Sequence, residues 1–173
     1  DLVSRYFNEK AKDIALSDYH AGDKLIPFEI QKEFVGKDLL EVRYEQLMSY
    51  VQNDDLLKNA FRVIAGDFVT TEEGTGIVHT ASVFGADDFR VSQQNGVPAV
   101  MVKDELGQDA PLVDKQGRFV KEVVDFAGYF VKEEYYSDEE RSKPDFKPTD
   151  VLIAVKLKED NKAFKVEKYE HSY

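Results

Sequence analysis

The strongest constraint on this chain is the placement of glycine in residues 70–98, T-T-E-E-G-T-G-I-V-H-T-A-S-V-F-G-A-D-D-F-R-V-S-Q-Q-N-G-V-P. Gly74 and Gly76 flank Thr75 at a point where the chain must reverse, because glycine reaches the positive φ values that hairpin turns need. Ile77 and Val78 are β-branched and suit a pleated strand, which ends on His79. A loop through Gly85 and Ala86 leads into Asp87 and Asp88. Carboxylates suit the first turn of a helix, where free N–H groups favour negative charge. Asn95-Gly96 supplies the C-terminal stop, with Pro98 just beyond. The pattern predicts strand, turn, strand, loop and helix, and it delivers one imidazole and one or two carboxylates to the same end of that unit.

Composition sets the outer limits. The 173 residues are enough for one domain with a real core, and 42% apolar content with 12% aromatics is that of a globular chain. There is no cysteine, which excludes disulfides, thiolate catalysis and cysteine–zinc sites. No apolar run approaches the length of a membrane span, and no signal peptide is visible. The net charge of −11 argues against autonomous tight binding to RNA, since that affinity comes from lysine and arginine releasing counterions. A start on Asp1 in place of methionine points to a piece of something larger.

Along the chain, Leu2, Val3, Tyr6, Phe7, Lys10, Ala11 and Ile14 recur at helical spacing and predict a helix over 2–16. Residues 17–24 form a polar loop in which His20 is a solvated residue. Residues 25–34 predict a strand with Pro27 near its beginning, 36–38 a turn, 39–44 an extended piece, and 45–57 a loop with a short helical part. Residues 60–70 predict a strand in which Gly66 marks a bulge, with Asp67 a turn or bulge aspartate. Residues 97–103 predict a short buried strand and 104–110 a loop. Lys115-Gln116-Gly117 is a hairpin-like turn between Leu112-Val113 and Phe119-Val120. Residues 132–150 are acidic and poor in aliphatics, and are expected as a solvated surface insertion. Thr149-Asp150 is expected to cap a helix running to about residue 159, with a strand left open by the β-branched content, and 162–168 is expected as a final strand. Strands outnumber helices, so the expected class is α+β, β-rich, a twisted barrel-like β core with peripheral helices in a single domain over 1–173.

The run G-T-G-I-V-H-T-A-S-V-F-G-A-D-D-F-R-V followed by N-G-V-P resembles the signature of the editing domain inserted into class I isoleucyl-tRNA synthetases. F-V-G-K-D-L with Arg43-Tyr44, R-V-I-A-G-D-F-V at 62–69, the segment 123–132 around D-F-A-G, and Y-E-H-S-Y at 169–173 are similar to neighbouring pieces of that family. The related valyl and leucyl enzymes usually carry lysine or methionine where this chain has His79, so the isoleucyl branch fits best. The resemblance implies a barrel of the valyl/isoleucyl/leucyl editing type that hydrolyses the ester of mischarged valyl-tRNA(Ile), within an enzyme that ligates isoleucine to its tRNA. The alternatives are valyl or leucyl specificity, or a non-catalytic remnant that binds tRNA or protein. It further implies, as partners, the acceptor end of tRNA(Ile) carrying valine and the rest of the synthetase chain. No cofactor or metal is expected in this domain, ATP and magnesium belonging to the parent synthetic site. A cytoplasmic location without membrane contact is expected.

An ester is already activated, so placing a water and stabilising the oxyanion can suffice without a covalent nucleophile. The chain agrees with that demand, holding no G-x-S-x-G elbow, H-E-x-x-H or P-loop. By resemblance, Asp88 holds the ammonium of the amino acid and His79 lines its side-chain pocket and helps reject isoleucine; these are the catalytic candidates. Gly74, Thr75, Gly76, Val78, Thr80, Phe84 and Asp87 are the substrate-binding candidates. The logic is that of the double sieve, for which isoleucyl enzymes are the standard example: a second pocket too small for isoleucine admits valine and destroys its ester. On residue type alone a strand-end histidine is more often a satisfied structural group, and Asp87 and Asp88 are helix-start residues. The ordered combination in one window carries the functional reading for Asp88, while Asp87 keeps the structural one. Two ligands without a third make a poor metal site, so no metal is expected between His79 and Asp88.

Two departures from the family pattern stand out. Ser82 occupies a position where the family usually has proline, and the threonine-rich strip that the family places upstream is not in this sequence. The strip helps to position the adenosine and the attacking water. The expected outcome is weak or no deacylation of valyl-tRNA by these 173 residues alone. Hydrolysis at a rate comparable to a chain extended through the strip would overturn that expectation.

Overall fold

A computed structural model describes residues 3–72 and 74–167. They form a mixture of helix and sheet arranged as two compact units, one of residues up to Tyr44 with Phe61–Val97, the other of Glu45–Ala60 with the residues from Pro98 onward. Among the described residues no helix is long and apolar enough to cross a membrane.

In the first unit, the helix expected over 2–16 is broken. α1 spans Val3–Tyr6, and a 3-10 turn, Glu9–Ala11, follows. The break falls at Asn8, whose side chain accepts the N–H of Lys10 at 3.0 Å. An asparagine that captures a nearby backbone donor offers the chain an alternative to the helical ladder. Ala11 is buried and Phe7 stacks on Phe28 with ring centroids 5.0 Å apart. Residues 25–34 form no regular strand, and Gly36–Leu39 is a 3-10 turn where the sequence predicts a turn.

The strand expected over 60–70 does pair with the extended piece 39–44, but only briefly. Glu41 donates to the Val63 carbonyl at 3.0 Å, Val63 to Val42 at 2.9 Å and Tyr44 to Phe61 at 3.0 Å. The ladder stops there because Glu41 (φ 66°) and Phe61 (φ 53°) take left-handed backbone. Residues of that kind kink a strand out of its pleat. Asp67 lies in a turn, as expected beside Gly66.

α2 spans Asp54–Asn59 in the second unit and is capped by Asn53, whose side chain accepts the N–H of Leu56 at 2.9 Å. Leu56 is 1% exposed and anchors this helix. β1 (Met101–Lys103) and β2 (Asp109–Pro111) form a two-stranded antiparallel sheet with Val102 opposite Ala110. β1 is shorter than the strand predicted over 97–103; Pro98 lacks the N–H that a ladder requires. Two turns share one chemistry. Asp104 Oδ1 accepts from Leu106 and Gln108 ahead of Gly107, and Asp114 Oδ1 accepts from Gln116 and Arg118 ahead of Gly117. Both glycines have positive φ, 76° and 81°. The second turn is the hairpin expected at Lys115-Gln116-Gly117, and it brings Val113 opposite Phe119.

Residues 132–150, expected as a solvated surface insertion, are mostly exposed and carry an aromatic cluster packed against Phe130. Tyr136 packs edge-on against Phe130 at 5.0 Å and against Phe146 at 5.1 Å. Its hydroxyl accepts the Phe130 N–H at 3.0 Å and lies 3.1 Å from Thr149 Oγ1, which donates to the Phe130 carbonyl at 2.6 Å. α4 spans Asp138–Arg141 and opens with a capping box between Ser137 and Glu140. α5 spans Thr149–Glu159, which resolves the helix-or-strand alternative as helix. Its cap differs from expectation: Pro148 holds the N-cap position, and the Thr149 hydroxyl is 2% exposed and turned to Phe130. No strand follows over the described part of 162–168, because Lys162 and Ala163 both donate to Leu157 to close the helix; Lys168 and the junction-like residues 169–173 lie outside the described residues.

One regular two-stranded sheet among the described residues is less β structure than the pattern predicts. The strand propensities of 60–70 and 112–120 are spent on isolated bridges, Arg43 with Arg62, Val113 with Phe119 and Arg118 with Phe130. α5 is tied down by polar contacts. Tyr50 donates to Asp125 at 2.6 Å and Lys156 sits 3.4 Å from both Asp125 and Asp160. Burial and then the Asp125 carboxylate push the Tyr50 phenol well above its ordinary value, while the Tyr50 hydroxyl holds the Asp125 carboxyl below its own.

Two measurements test these packing arguments. A Cβ on Gly117 would lie 2.5 Å from the Tyr135 ring, whereas one on Gly107 meets nothing within 4 Å. Both alanine variants incur a left-handed backbone cost of about 1–2 kcal/mol. Gly117→Ala is therefore expected to be the more destabilising in urea denaturation, by a further ~1–3 kcal/mol for the displaced ring. The raised Tyr50 value means that its contribution is intact below the unfolded phenol's value of about 10 and is lost as pH rises beyond it. Urea midpoints recorded between roughly pH 8 and 11 should fall steeply at the alkaline end for the native chain and less for Tyr50→Phe.

Candidate functional site

The site is built on α3, Ala86–Gln94, which begins at the acidic pair and ends at the Asn95-Gly96 stop as the sequence predicts. Gly85 takes φ 90° at the N-cap and offers no side chain to the first N–H groups. Val91 and Ser92, each 2% exposed, fix the buried face. At the C-terminal end Asn95 donates to the Val91 carbonyl at 2.9 Å and Gly96 closes the helix with φ 63°. Arg62 then donates to the Asn95 carbonyl at 2.5 Å and also to Glu41. A guanidinium at this end complements the negative pole of the helix.

Asp88 occupies the third helical position, from which an acidic side chain commonly folds back onto its own cap. Here Oδ2 instead accepts the N–H of Ala81 at 3.1 Å. That bond closes residues 81–88 into a loop and leaves the carboxylate half-buried. Gly85 suits the position through its φ of 90°, a backbone conformation that side-chain-bearing residues rarely adopt, while a Cβ there would only touch Asp88 at 3.6 Å. Asp88 Oδ1 takes no hydrogen bond among the described residues. The result is a carboxylate directed by one engaged oxygen, a group chemically suited to a cationic partner.

Asp87 points elsewhere. Its Oδ1 receives Arg90 Nη2 at 3.2 Å, and the same guanidinium grips Asp67 at 2.9 and 3.5 Å. Asp67 and Asp87 are exposed, and the Arg90 hydrogen bonds and charge hold the Asp67 carboxyl below its ordinary range. Arg90 in turn keeps its proton more firmly, chiefly because of Asp67. This agrees with the structural reading of Asp87. Sequence reasoning passed over Arg90; its spacing of three from Asp87 on one helix was the available signal.

The remaining candidates lie upstream. Gly74 (φ 62°) and Gly76 (φ 76°) make the expected turn, and among the described residues Thr75 Oγ1 bonds to the backbone of Ile77. Val78 and Phe84 are 53% and 48% exposed, His79 is exposed and Thr80 half-buried. Ile77 to His79, expected as a strand, form no regular strand. The Asp88–Ala81 bond thus brings Asp88 to within two residues of His79 along the chain, while Asp87 and the glycine turn keep to their own contacts. Among the described residues no group of three His, Asp or Glu side chains could hold a metal ion.

No protein-family model matches the chain. Individual relatives do. It is 56% identical over 179 residues to an isoleucine–tRNA ligase of Cytophaga hutchinsonii, a match covering 99% of this chain. An isoleucine–tRNA ligase of Bacteroides fragilis is 41% identical over 191 residues, again across 99% of the chain. That of Picrophilus torridus is 38% identical across 84% of the chain. The chain spans about 16% of the length of the first two of these relatives and 11% of the third. From end to end, therefore, the chain corresponds to a segment of the isoleucine–tRNA ligase family.

Proposed function

We propose that this segment is the editing domain of its parent synthetase, hydrolysing the ester that joins valine to the terminal adenosine of tRNA(Ile) while the rest of the enzyme ligates isoleucine to the same tRNA. The observation that carries the reading is the Asp88 carboxylate, half-buried and oriented by the Ala81 N–H on Oδ2. A carboxylate so fixed is suited to the α-ammonium of an aminoacyl ester, and holding that group orients the neighbouring carbonyl for attack by water. His79, two residues from Ala81, then stands against the amino-acid side chain. Thr75, Val78, Thr80 and Phe84, with the Gly74 and Gly76 turn, supply the rest of the cradle, and the twisted barrel-like core belongs to the same proposal. Asp87, paired with Arg90 at 3.2 Å, is assigned a structural role at the helix start in this reading.

The net charge of −11 supports a division of labour in which the body of the tRNA is held by other parts of the synthetase and only its acceptor end enters here. No cofactor is required by this chemistry in the segment; ATP and magnesium serve the synthetic site, in the cytoplasm. The relatives' shared name favours the isoleucyl over the valyl or leucyl branch.

The test is made in the parent enzyme. Removing a charge-assisted hydrogen bond costs ~1.5–3 kcal/mol, so Asp88→Ala should slow clearance of valyl-tRNA(Ile) by about 10- to 100-fold. Isoleucine activation should be unchanged. His79→Ala should instead let the enzyme deacylate isoleucyl-tRNA(Ile). Undiminished clearance by Asp88→Ala would leave only a binding module.

A further inference from the structure

We propose that Arg90 is a positioning residue for Asp88: burial of Val91 and Ser92 sets which face of α3 turns inward, and the Arg90 grip on Asp67 limits the rotation that remains, and so steadies the direction of the carboxylate. The inference rests on the editing reading of Asp88.

The geometry is that of a pinned cylinder. Successive residues of a helix are about 100° apart, so Asp88 and Arg90 project roughly 200° from one another. A rotation that would carry Asp88 away from Ala81 must swing Arg90 as well. Arg90 resists it through two nitrogens on the two oxygens of Asp67, at 2.9 and 3.5 Å. A forked guanidinium–carboxylate contact fixes direction as well as distance. The anchor itself is local and closed: Asp67 sits in a turn whose Val69 N–H donates to Gly66. Gly66 is packed so closely that a Cβ there would lie 3.3 Å from both the Phe68 ring and Val69. The third contact, Arg90 to Asp87, ties the guanidinium back to the turn that bears Asp88. Arg62 holds the far end of the helix at the Asn95 carbonyl.

Exposure sharpens the argument. Asp67 is 72% exposed and Arg90 40%. Ion pairs in such positions contribute little to stability. Loss of this one should therefore leave the fold in place and show itself in the site.

The experiment uses the full parent synthetase with valyl-tRNA(Ile) and isoleucyl-tRNA(Ile). Arg90→Ala and Asp67→Asn are expected to lower kcat for valyl-tRNA hydrolysis on the order of tenfold, because small displacements of a reacting group are costly. KM should hardly move, since the tRNA body is bound elsewhere and the lost contact falls on the reacting step. Isoleucine activation and melting temperature should match the native enzyme. Arg90→Lys, which keeps the charge but not the fork, should remain impaired. The decisive reading is a double-mutant cycle: in an Asp88→Ala background, Arg90→Ala should have no further effect. Full additivity, or unchanged hydrolysis in both Arg90→Ala and Asp67→Asn, overturns the positioning role while leaving the editing reading intact. An Asp88→Ala enzyme that still clears valyl-tRNA overturns both.

Discussion

The candidate site depends on a single hydrogen bond, from the Ala81 N–H to the Asp88 carboxylate. A helix opens with several N–H groups lacking intrahelical partners, and an acid in its first turn ordinarily serves them. Gly85 has no side chain to cap with, yet Asp88 does not compensate. It reaches out of the helix to the preceding loop. That choice ties the residue after Thr80 to the start of α3, and it converts a surface carboxylate into a half-buried one with a defined orientation. Torsional freedom lost on folding does not have to be lost again when a ligand arrives.

Everything else around α3 holds that arrangement steady. Burial of Val91 and Ser92 decides which face turns inward, and Arg62 completes the C-terminal end by donating to the Asn95 carbonyl. The Arg62 side chain is 14% exposed, so this bond operates where water competes poorly. The short pairing of 41–44 with 61–63 brings Glu41 to the same guanidinium. A left-handed residue at Glu41 and another at Phe61 cut the ladder short.

The parts of this fold that are legible in the sequence are those decided locally. Gly74-Thr75-Gly76, the acidic helix start and the Asn95-Gly96 stop each follow from the φ preference or capping chemistry of residues adjacent in the chain, and each is in place. The strands were less legible because a ladder depends on a distant partner and on backbone exceptions such as Phe61, whose side chain carries no left-handed preference. Residues 132–150 are legible only in part. Their acids dominate composition, while the packing is decided by Tyr136, Phe146 and one threonine hydroxyl meeting Phe130 from outside the segment. At the site, family likeness singles out Asp88, but no residue type encodes its partner, since nearly every residue offers a backbone N–H. Arg90 and Asp67 lie 23 positions apart, beyond any periodicity that a window can register.

Under the proposed function, the two catalytic candidates must carry unequal burdens. Asp88 meets an ammonium that valine and isoleucine share, so it contributes nothing to choosing between them. Ile77 and Val78, 58% and 53% exposed, offer apolar surface beside His79. Apolar attraction alone would favour isoleucine, whose extra methylene gains about 0.8 kcal/mol on burial. A pocket that destroys valyl esters and spares isoleucyl ones must therefore act by exclusion. An imidazole ring, planar and with few rotamers, is suited to form that wall in a way that a flexible lysine or methionine is not. Affinity for the shared ammonium and rejection of the larger side chain then reside in different residues, and their effects on hydrolysis are separable.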